Sequence, residues 1–280
     1  MISSCGIPEV LPGVPYSLEL LSEVRMGSFI NILGREIPLY GIFFFLGIGV
    51  AAAVAAILHK NAGLDMFDIA GSGVYIMIGA IIGAKLLFIA VTLPQIIEMN
   101  IPFTALIKGG FVFYGGLLGG AGGLLIYVRQ FKMQLSPFAD LYTTVLPLGH
   151  AFGRVGCFCA GCCYGIPWKH GHIYTSTAGT TPLGVPLLPI QLIESAALLV
   201  LFGVQIALYL CKRRTWRNTL FYFIAYPALR FVLEFFRGDT ERGKIAGFST
   251  SQLVSLLVIA LLIIITSIFS SRKHKESKKI

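Results

Sequence analysis

The sequence is poor in charge: Asp, Glu, Lys and Arg make up 12% of its 280 residues, and basic residues outnumber acidic ones. Hydrophobic residues account for 56% of the chain, and the mean hydropathy is +0.81. Soluble globular proteins carry about twice that share of charged residues. The scarcity therefore excludes a water-soluble globule and places most of the chain in lipid.

The apolar residues fall into long continuous segments. A hydrocarbon core about 30 Å thick needs about 20 apolar residues per helix. Barrel strands are disfavoured because they would alternate apolar and polar residues over about ten positions. We therefore predict an all-α polytopic membrane protein with about seven transmembrane helices, at residues 39–58, 68–92, 110–128, 138–155, 189–211, 218–236 and 248–270.

The sequence also lacks a basic-then-apolar leader, an internal repeat and a low-complexity linker, which predicts a single membrane domain. Residues 1–37 then form an extracytoplasmic arm, with an interfacial helix around Pro15 to Met26. Residues 38–271 form the membrane domain, and residues 272–280 form a basic tail.

The distribution of Lys and Arg predicts the orientation, because these residues are retained on the cytoplasmic side. With seven spans, more of them share a side with the C-terminal tail than with the N-terminus. We expect an outside N-terminus, a cytoplasmic C-terminus and a tail that contacts anionic membrane lipids of the inner leaflet. The net charge of +9 is then a sign of topology and does not indicate a nucleic-acid partner.

Two basic residues, Lys85 and Arg230, lie well inside predicted spans, whereas Arg154 lies at the outer end of the fourth. A charge at the centre of a membrane helix costs about 2.5 to 3.5 kcal/mol and requires a partner or a function. Lys85 can reach an interface by snorkelling. Arg230 belongs to a set spaced by four, four and three residues, which predicts one polar helix face facing a cavity. The set is Tyr226, Arg230, Glu234 and Arg237. The alternative is a plain ion pair between Arg230 and Glu234.

A glycine-rich loop closes the fourth predicted span, from His150 to Gly165. Its glycines permit close backbone approach, and Arg154 offers the bidentate geometry that suits a phosphate. We predict that Gly153, Gly156 and Gly165 help this loop to hold an anionic head group. Arg154 could instead anchor the helix end at the membrane interface.

Two further segments carry candidate binding residues. Tyr114 precedes the run Gly115-Gly116-Leu117-Leu118-Gly119-Gly120, which predicts either close helix packing or a space for the phenol. Gln191 and Glu194 lie three residues apart at the start of the fifth span and so lie near one another.

Four of the six cysteines fall within one short segment, at Cys157, Cys159, Cys162 and Cys163. Three interpretations stay open. A zinc site would need these thiolates to converge without a second pair elsewhere. The others are redox pairing on an oxidising side of the membrane and small buried hydrophobic residues.

In this combination the sequence resembles the prolipoprotein diacylglyceryl transferase family of bacterial membranes. The matching features run from Leu39 to Leu257 and are Tyr40-Gly41, the Gly115–Gly120 run after Tyr114, Asp140, Gly153-Arg154-Val155-Gly156, Pro189 and Gln191 with Glu194, and Arg230-Phe231 with Glu234 and Arg237.

The resemblance implies transfer of a diacylglyceryl group from phosphatidylglycerol to the lipobox cysteine thiol of a prolipoprotein. Glycerol 1-phosphate is released, and neither a metal nor another cofactor is needed. The catalytic residues it implies are Arg154, Arg230, Glu234, Tyr114 and Tyr40. The substrate-binding residues are Tyr226, Gly153, Gly156, Gly165, Gln191, Glu194, Arg237, Gly115 and Gly116.

The sequence departs from the family pattern at three positions. Tyr114 stands where the family usually has histidine, and Cys157 and Cys162 replace the usual Asn and Glu of the glycine loop. An unperturbed tyrosine, with a pKa near 10, is a poorer base than histidine at neutral pH. A changed acceptor, a non-catalytic lipid-binding protein and a thiol-redox membrane protein are therefore alternatives.

Overall fold

The computed structural model describes residues 29–32, 35–99, 110–175, 181–211, 215–239, 244–245 and 248–277. The predicted interfacial helix around Pro15 to Met26 lies outside these ranges. Within them the chain forms seven α-helices: α1 (Leu39–Ala62), α2 (Met66–Met99), α3 (Phe113–Gln130), α4 (Leu135–Ala160), α5 (Ile190–Leu210), α6 (Arg217–Leu233) and α7 (Thr250–Ser277).

Short antiparallel hairpins and one 3-10 helix connect the helices. The strand pairs are β1 (Phe29–Ile32) with β2 (Arg35–Pro38), β3 (Pro167–Ile173) with β4 (Pro186–Leu187), and β5 (Lys244–Ile245) with β6 (Phe248–Ser249). The 3-10 helix, Glu234–Phe236, directly follows α6.

Each of the seven helices overlaps one predicted apolar segment. Among the described residues, four helical segments are long and apolar enough to cross a membrane: Leu39–Ala62, Met66–Leu93, Ile190–Leu210 and Arg217–Phe236. Large apolar side chains on α1 point outward; Phe45 is 72% exposed and Ile57 is 74% exposed. Such surfaces suit lipid and not water. The chain is thus a mostly helical membrane protein with four clear spans, and the count of seven stays a prediction.

The chain divides into two compact units, one containing Val54–Phe138 and the other containing Gly27–Ala53 and Ala139–Ile280. In the first unit, α2 and α3 pack in very close contact through glycines. A Cβ on Gly119 would lie 2.9 Å from the Cα of Gly83 and would collide with the carbonyl oxygen of Gly79. A Cβ on Gly115 would likewise collide with the carbonyl oxygen of Gly83. Small residues at four-residue spacing allow this approach, so the packing interpretation accounts for the glycine run.

Lys85, the first of the two intramembrane bases, also lies in this unit. Its ammonium nitrogen is 5.1 Å from the ring centroid of Phe88 and 5.2 Å from that of Phe111. The two rings offer the cation a favourable electrostatic surface inside an apolar helix pair.

We expect Gly119→Ala to destabilise the protein, because the added methyl group has no room against α2. Overpacking of this kind costs about 1 to 3 kcal/mol, and the loss is measured as a lower midpoint of thermal unfolding in detergent. Gly122→Ala is the matched control on the same helix, since no described atom lies within 4 Å of its would-be Cβ. Equal midpoints for the two variants would contradict the packing role.

In the second unit, α4, α5 and α6 share a buried core. The cluster comprises Ala151, Leu198, Leu201 and Tyr222. The Ser195 hydroxyl donates a hydrogen bond to the carbonyl oxygen of Ala151 at 3.0 Å, which fixes α5 against α4. The positions of polar side chains on these three helices are therefore set by packing.

Asp140 of α4 stabilises the start of α6. Its carboxylate accepts hydrogen bonds from the backbone N–H of Trp216 at 2.7 Å, and from the N–H and hydroxyl of Thr219 at 2.9 and 2.7 Å. The first turn of a helix has unpaired N–H groups, and a carboxylate there satisfies them. The helix that carries Tyr226 and Arg230 is thereby held against α4.

Candidate active site

An ion pair between helices is the first element of the site. Arg154 lies on α4, and its Nη2 is 3.1 Å from Oε1 of Glu194 on α5. Glu194 is only 1% exposed. A carboxylate is stable at that depth because the guanidinium neutralises it. Both residues were predicted site residues, and the structure brings them together.

A second ion pair lies within α6 and the 3-10 helix. Nη2 of Arg230 is 2.5 Å from Oε2 of Glu234, and the same nitrogen donates to the Ser251 hydroxyl on α7 at 3.3 Å. Arg230 is 6% exposed. The spacing of four residues predicts this pair, and the contact with Ser251 adds a link to the next helix.

The two pairs belong to one electrostatic cluster. Glu194 interacts with Arg154, Arg230, His150 and Arg237. Among the described residues, the buried side-chain atoms without a hydrogen-bond partner include Nε of Arg154 and Nη1 of Arg230, and also Oε1 of Glu194 and Oε2 of Glu234. A buried N–H without a partner is costly, and it becomes favourable when an anionic oxygen enters the site.

Tyr226 and His150 lie beside these charges. The ring centroids of His150 and Tyr226 are 5.2 Å apart at an interplanar angle of 66°, and Tyr226 stacks on Tyr222 at 5.7 Å. Tyr226 also interacts electrostatically with Arg154 and Glu194. His150 was not among the predicted site residues, although it precedes Arg154 by four positions and so occupies the same face of α4.

Arg237 does not extend the polar face of α6, and this part of the prediction is wrong. The α-helix ends at Leu233, and Arg237 follows the 3-10 helix in an extended conformation, with φ −86° and ψ 138°. Its Nε and Nη2 donate to the two carboxylate oxygens of Asp239 at 2.8 and 2.7 Å. Burial lowers the pKa of Arg237, but the hydrogen bonds to Asp239 and the electrostatic interactions with Asp239 and Cys163 together hold the pKa above its ordinary value.

Gly165 has a backbone role next to Arg237. Its N–H donates to the carbonyl oxygen of Leu188 at 3.2 Å, and it forms an isolated antiparallel bridge with Arg237. A Cβ at Gly165 would lie 3.0 Å from the carbonyl oxygen of Phe236. The glycine therefore allows three chain segments to meet beside the site.

Gln191 supports the cysteine-containing loop. Its side-chain amide donates to the carbonyl oxygen of Cys162 at 2.7 Å and to the Tyr174 hydroxyl at 3.3 Å. Burial raises the pKa of Tyr174 to about 12, so this phenol stays protonated at neutral pH. The contacts of Gln191 are with protein groups, and a contact of this residue with substrate stays a prediction.

The remaining predicted residues are distributed over both units. Tyr40 begins α1, is 40% exposed and stacks on Phe44 at 6.1 Å. A Cβ on Gly156 would lie 3.2 Å from the carbonyl oxygen of Tyr40, so Gly156 permits α1 to approach α4. A Cβ on Gly153 would meet no described atom within 4 Å, which leaves open space beside Arg154.

Tyr114, Gly115 and Gly116 lie at the start of α3, in the unit that contains Val54–Phe138. Gly115 packs against α2, while a Cβ on Gly116 would make ordinary contacts with Ala80 and Ala84 at 3.5 Å. Roles in catalysis or substrate binding for these three residues stay predictions.

The fold and this cluster define an integral membrane protein with a buried cluster of ion-paired arginines. Its sequence matches the family description prolipoprotein diacylglyceryl transferase over residues 28–268, and the chain belongs to this family. The resemblance predicted from sequence motifs is confirmed.

Similar proteins from several bacteria carry the name phosphatidylglycerol–prolipoprotein diacylglyceryl transferase. The one from Clostridium tetani is 33% identical over 251 residues, which cover 87% of this chain and 98% of that protein. The one from Geobacter sulfurreducens is 32% identical over 259 residues, covering 88% and 95%. A protein from Clostridium perfringens with the same name and the suffix 2 is 31% identical over 256 residues, covering 88% and 96%.

Proposed function

We propose that this chain transfers the diacylglyceryl group of phosphatidylglycerol to the lipobox cysteine thiol of a prolipoprotein and releases glycerol 1-phosphate. The observation that carries the proposal is the pair of buried guanidiniums, each with one nitrogen that lacks a hydrogen-bond partner among the described residues. Family membership supports the same reaction.

The chemistry explains why two guanidiniums are useful. The acceptor sulfur forms a bond to the terminal glyceryl carbon of the diacylglycerol, and the bond from that carbon to the phosphate oxygen breaks. The phosphodiester carries one negative charge, whereas the departing phosphate monoester carries two. Donors that are already oriented toward the oxygens where charge accumulates stabilise the transition state more than the ground state.

The carboxylates orient the guanidiniums. Glu194 occupies one side of Arg154, and Glu234 occupies one side of Arg230. Each guanidinium therefore keeps a fixed direction and still has Nε or Nη1 available for a phosphate oxygen. In this arrangement Arg154 and Arg230 bind the phosphate, Glu194 and Glu234 position them, and Tyr226 holds Arg154.

The acceptor thiol must lose its proton when the new bond forms. His150 is the proton acceptor in this proposal, because its ring lies beside Tyr226 and it precedes Arg154 by one helical turn on the same face of α4. A neutral imidazole is the usual base near neutral pH. This role would compensate for the tyrosine at position 114, and Tyr114 is the competing candidate for the same role.

The membrane arrangement is part of the proposal. Seven helices cross the bacterial cytoplasmic membrane within a single domain, residues 38–271, with the arm 1–37 outside. The basic tail, 272–280, contacts anionic lipids on the cytoplasmic side. The donor lipid enters sideways between helices from the outer leaflet, and nucleic acid is not a partner.

The test is a transfer assay with membranes that contain the full chain, phosphatidylglycerol and a peptide with one lipobox cysteine. We expect the peptide to gain the mass of one diacylglyceryl group and glycerol 1-phosphate to appear in equal amount. The same peptide with serine at the acceptor position is the matched control, and phosphatidylethanolamine is the control donor.

Two results would contradict the proposal. A peptide mass that stays unchanged with phosphatidylglycerol present would exclude the prolipoprotein acceptor. Release of glycerol 1-phosphate without peptide modification would assign a different acceptor to the enzyme.

A further inference from the structure

Three thiols converge in the loop that follows α4. The Sγ atoms of Cys157, Cys162 and Cys163 all lie within 4.8 Å of one another, and all three residues are half-buried. Cys159 lies in the same segment and is not part of this group. We refer to the three residues as the thiol cluster.

The backbone holds the thiol cluster in place. The N–H of Cys162 donates to the carbonyl oxygen of Cys157 at 3.1 Å. Cys163 has a φ of +60°, a left-handed conformation that is unfavourable for a residue with a side chain. Backbone conformations of this kind persist where the surrounding structure imposes them and are concentrated at functional sites.

Two side chains from outside the segment stabilise the same loop. Gln191 donates to the carbonyl oxygen of Cys162, and the Thr181 hydroxyl donates to that of Gly161. These bonds fix the two residues that precede Cys163. The thiols are therefore brought together by a supported loop and not by a chance approach of mobile side chains.

Guanidiniums close to the thiol cluster can balance the charge of a complex between three thiolates and a cation. Cys163 interacts electrostatically with Arg237 and Arg154. Three thiolates with one divalent cation have a net charge of about −1, which a neighbouring guanidinium balances. Without the cation, three thiolates so close together would repel one another strongly.

We propose that Cys157, Cys162 and Cys163 form a three-thiolate binding site for a thiophilic d10 cation such as Zn²⁺, with the fourth coordination position open. Zinc–sulfur bonds of about 2.3 Å at tetrahedral angles place the sulfurs about 3.8 Å apart. The thiol cluster needs a contraction of about 1 Å or less to reach that geometry, which side-chain rotation supplies. The proposal does not rest on the proposed transfer reaction.

The experiment uses the purified full chain in detergent, with Cys5 and Cys211 replaced by serine so that only the loop cysteines remain. The protein is reduced, freed of metal with a chelator and titrated with Cd²⁺, whose bonds to thiolates absorb in the ultraviolet. Zn²⁺ then competes for the same site. We expect one cation per chain, with absorption that indicates three cadmium–sulfur bonds.

Single serine variants test which thiols bind. Loss of an outer-sphere partner of a metal ligand typically weakens binding about 10- to 100-fold, so loss of a ligand itself should weaken it at least about 100-fold. We expect this loss for Cys157→Ser, Cys162→Ser and Cys163→Ser. Cys159→Ser is the matched control and should bind as the parent does.

Two results would overturn the proposal. Equal affinity in Cys163→Ser and Cys159→Ser would show that the thiol cluster is not the binding site. If protein isolated without reductant has two fewer reactive thiols than cysteines, and reduced protein binds no cation, the thiol cluster is a disulfide-forming pair with a spare thiol. Neither measurement depends on transferase activity, so a failure here leaves the proposed reaction untouched.

Discussion

Arg154→Gln is expected to reduce diacylglyceryl transfer about 100- to 1000-fold, because it removes one of the two guanidiniums that would bind the departing phosphate. The same change leaves Glu194 buried without its ion-pair partner. Removing one member of a buried pair costs about 3 to 5 kcal/mol, so the variant should also unfold at a lower temperature. Activity and stability are both expected to fall, and the two effects must be separated.

The double variant Arg154→Gln, Glu194→Gln separates them. It removes both charges of the pair and keeps two amides of similar shape, so the buried uncompensated carboxylate disappears. We expect thermal stability to return toward that of the wild type, while transfer stays as low as in the single variant. The measurements are the midpoint of thermal unfolding in detergent and the rate of mass gain on the lipobox peptide.

Recovery of activity in the double variant would contradict the phosphate-binding role. It would show that Arg154 is needed only to neutralise Glu194. The pair Arg230 and Glu234 permits the same comparison with Arg230→Gln and the corresponding double variant. If both arginines bind the phosphate, each double variant is stable and inactive.

The sequence predicts contacts well where they are local. Arg230 and Glu234 are four residues apart on one helix, and this spacing alone brings their side chains together. The glycine run at the start of α3 also indicates close helix packing, because small residues at helical spacing have few other uses in a membrane. The long apolar segments likewise predict where the helices lie, because a membrane span needs about 20 apolar residues.

Contacts that depend on tertiary structure are harder to predict from the sequence. Arg154 and Glu194 were both candidates, yet nothing in their spacing of forty residues indicates that they form an ion pair. Gln191 and Glu194 share a helix, but one bonds to the cysteine-containing loop and the other to α4. The packing of α4 against α5 decides these partners, and no sequence period encodes it.

Arg237 shows where a local rule fails. The four, four and three spacing is correct for a continuous helix, but α6 tightens into a 3-10 helix at Glu234 and the chain is extended at Arg237. Asp239 then supplies two carboxylate oxygens within hydrogen-bond distance of the guanidinium. The guanidinium of Arg237 thus lies beside Asp239, two residues away in an extended segment, and not beside Glu234, one turn away in the predicted helix.

His150→Gln is expected to lower the rate of transfer about 100-fold, since a positioned base contributes about 100- to 10,000-fold. Binding of phosphatidylglycerol should change little, because both guanidiniums remain. The wild-type rate should depend weakly on pH near neutrality. The variant must rely on peptide that has already ionised, so its rate should rise about tenfold per pH unit below the usual thiol pKa of about 8.5.

A selenocysteine acceptor peptide distinguishes a base from a structural residue. A selenol is already ionised at neutral pH, so the reaction with this peptide does not need a proton acceptor. The deficit of His150→Gln should therefore largely disappear with the selenocysteine peptide, whereas a deficit caused by a distorted site would persist. Tyr226→Phe is the matched control for a distorted site, because it keeps the ring that contacts His150 and removes only the hydroxyl. Any deficit of this variant should be the same with both peptides.

Tyr114→Phe provides the comparison that decides between the two candidate bases. If His150 accepts the proton, the rate of Tyr114→Phe relative to the wild type is the same with the cysteine peptide and the selenocysteine peptide. If instead Tyr114→Phe is the variant whose deficit the selenocysteine peptide removes, the tyrosine performs the role at the position where the family usually has histidine. If the selenocysteine peptide does not restore the rate of His150→Gln, His150 is excluded as the base, whatever the size of the rate loss in that variant.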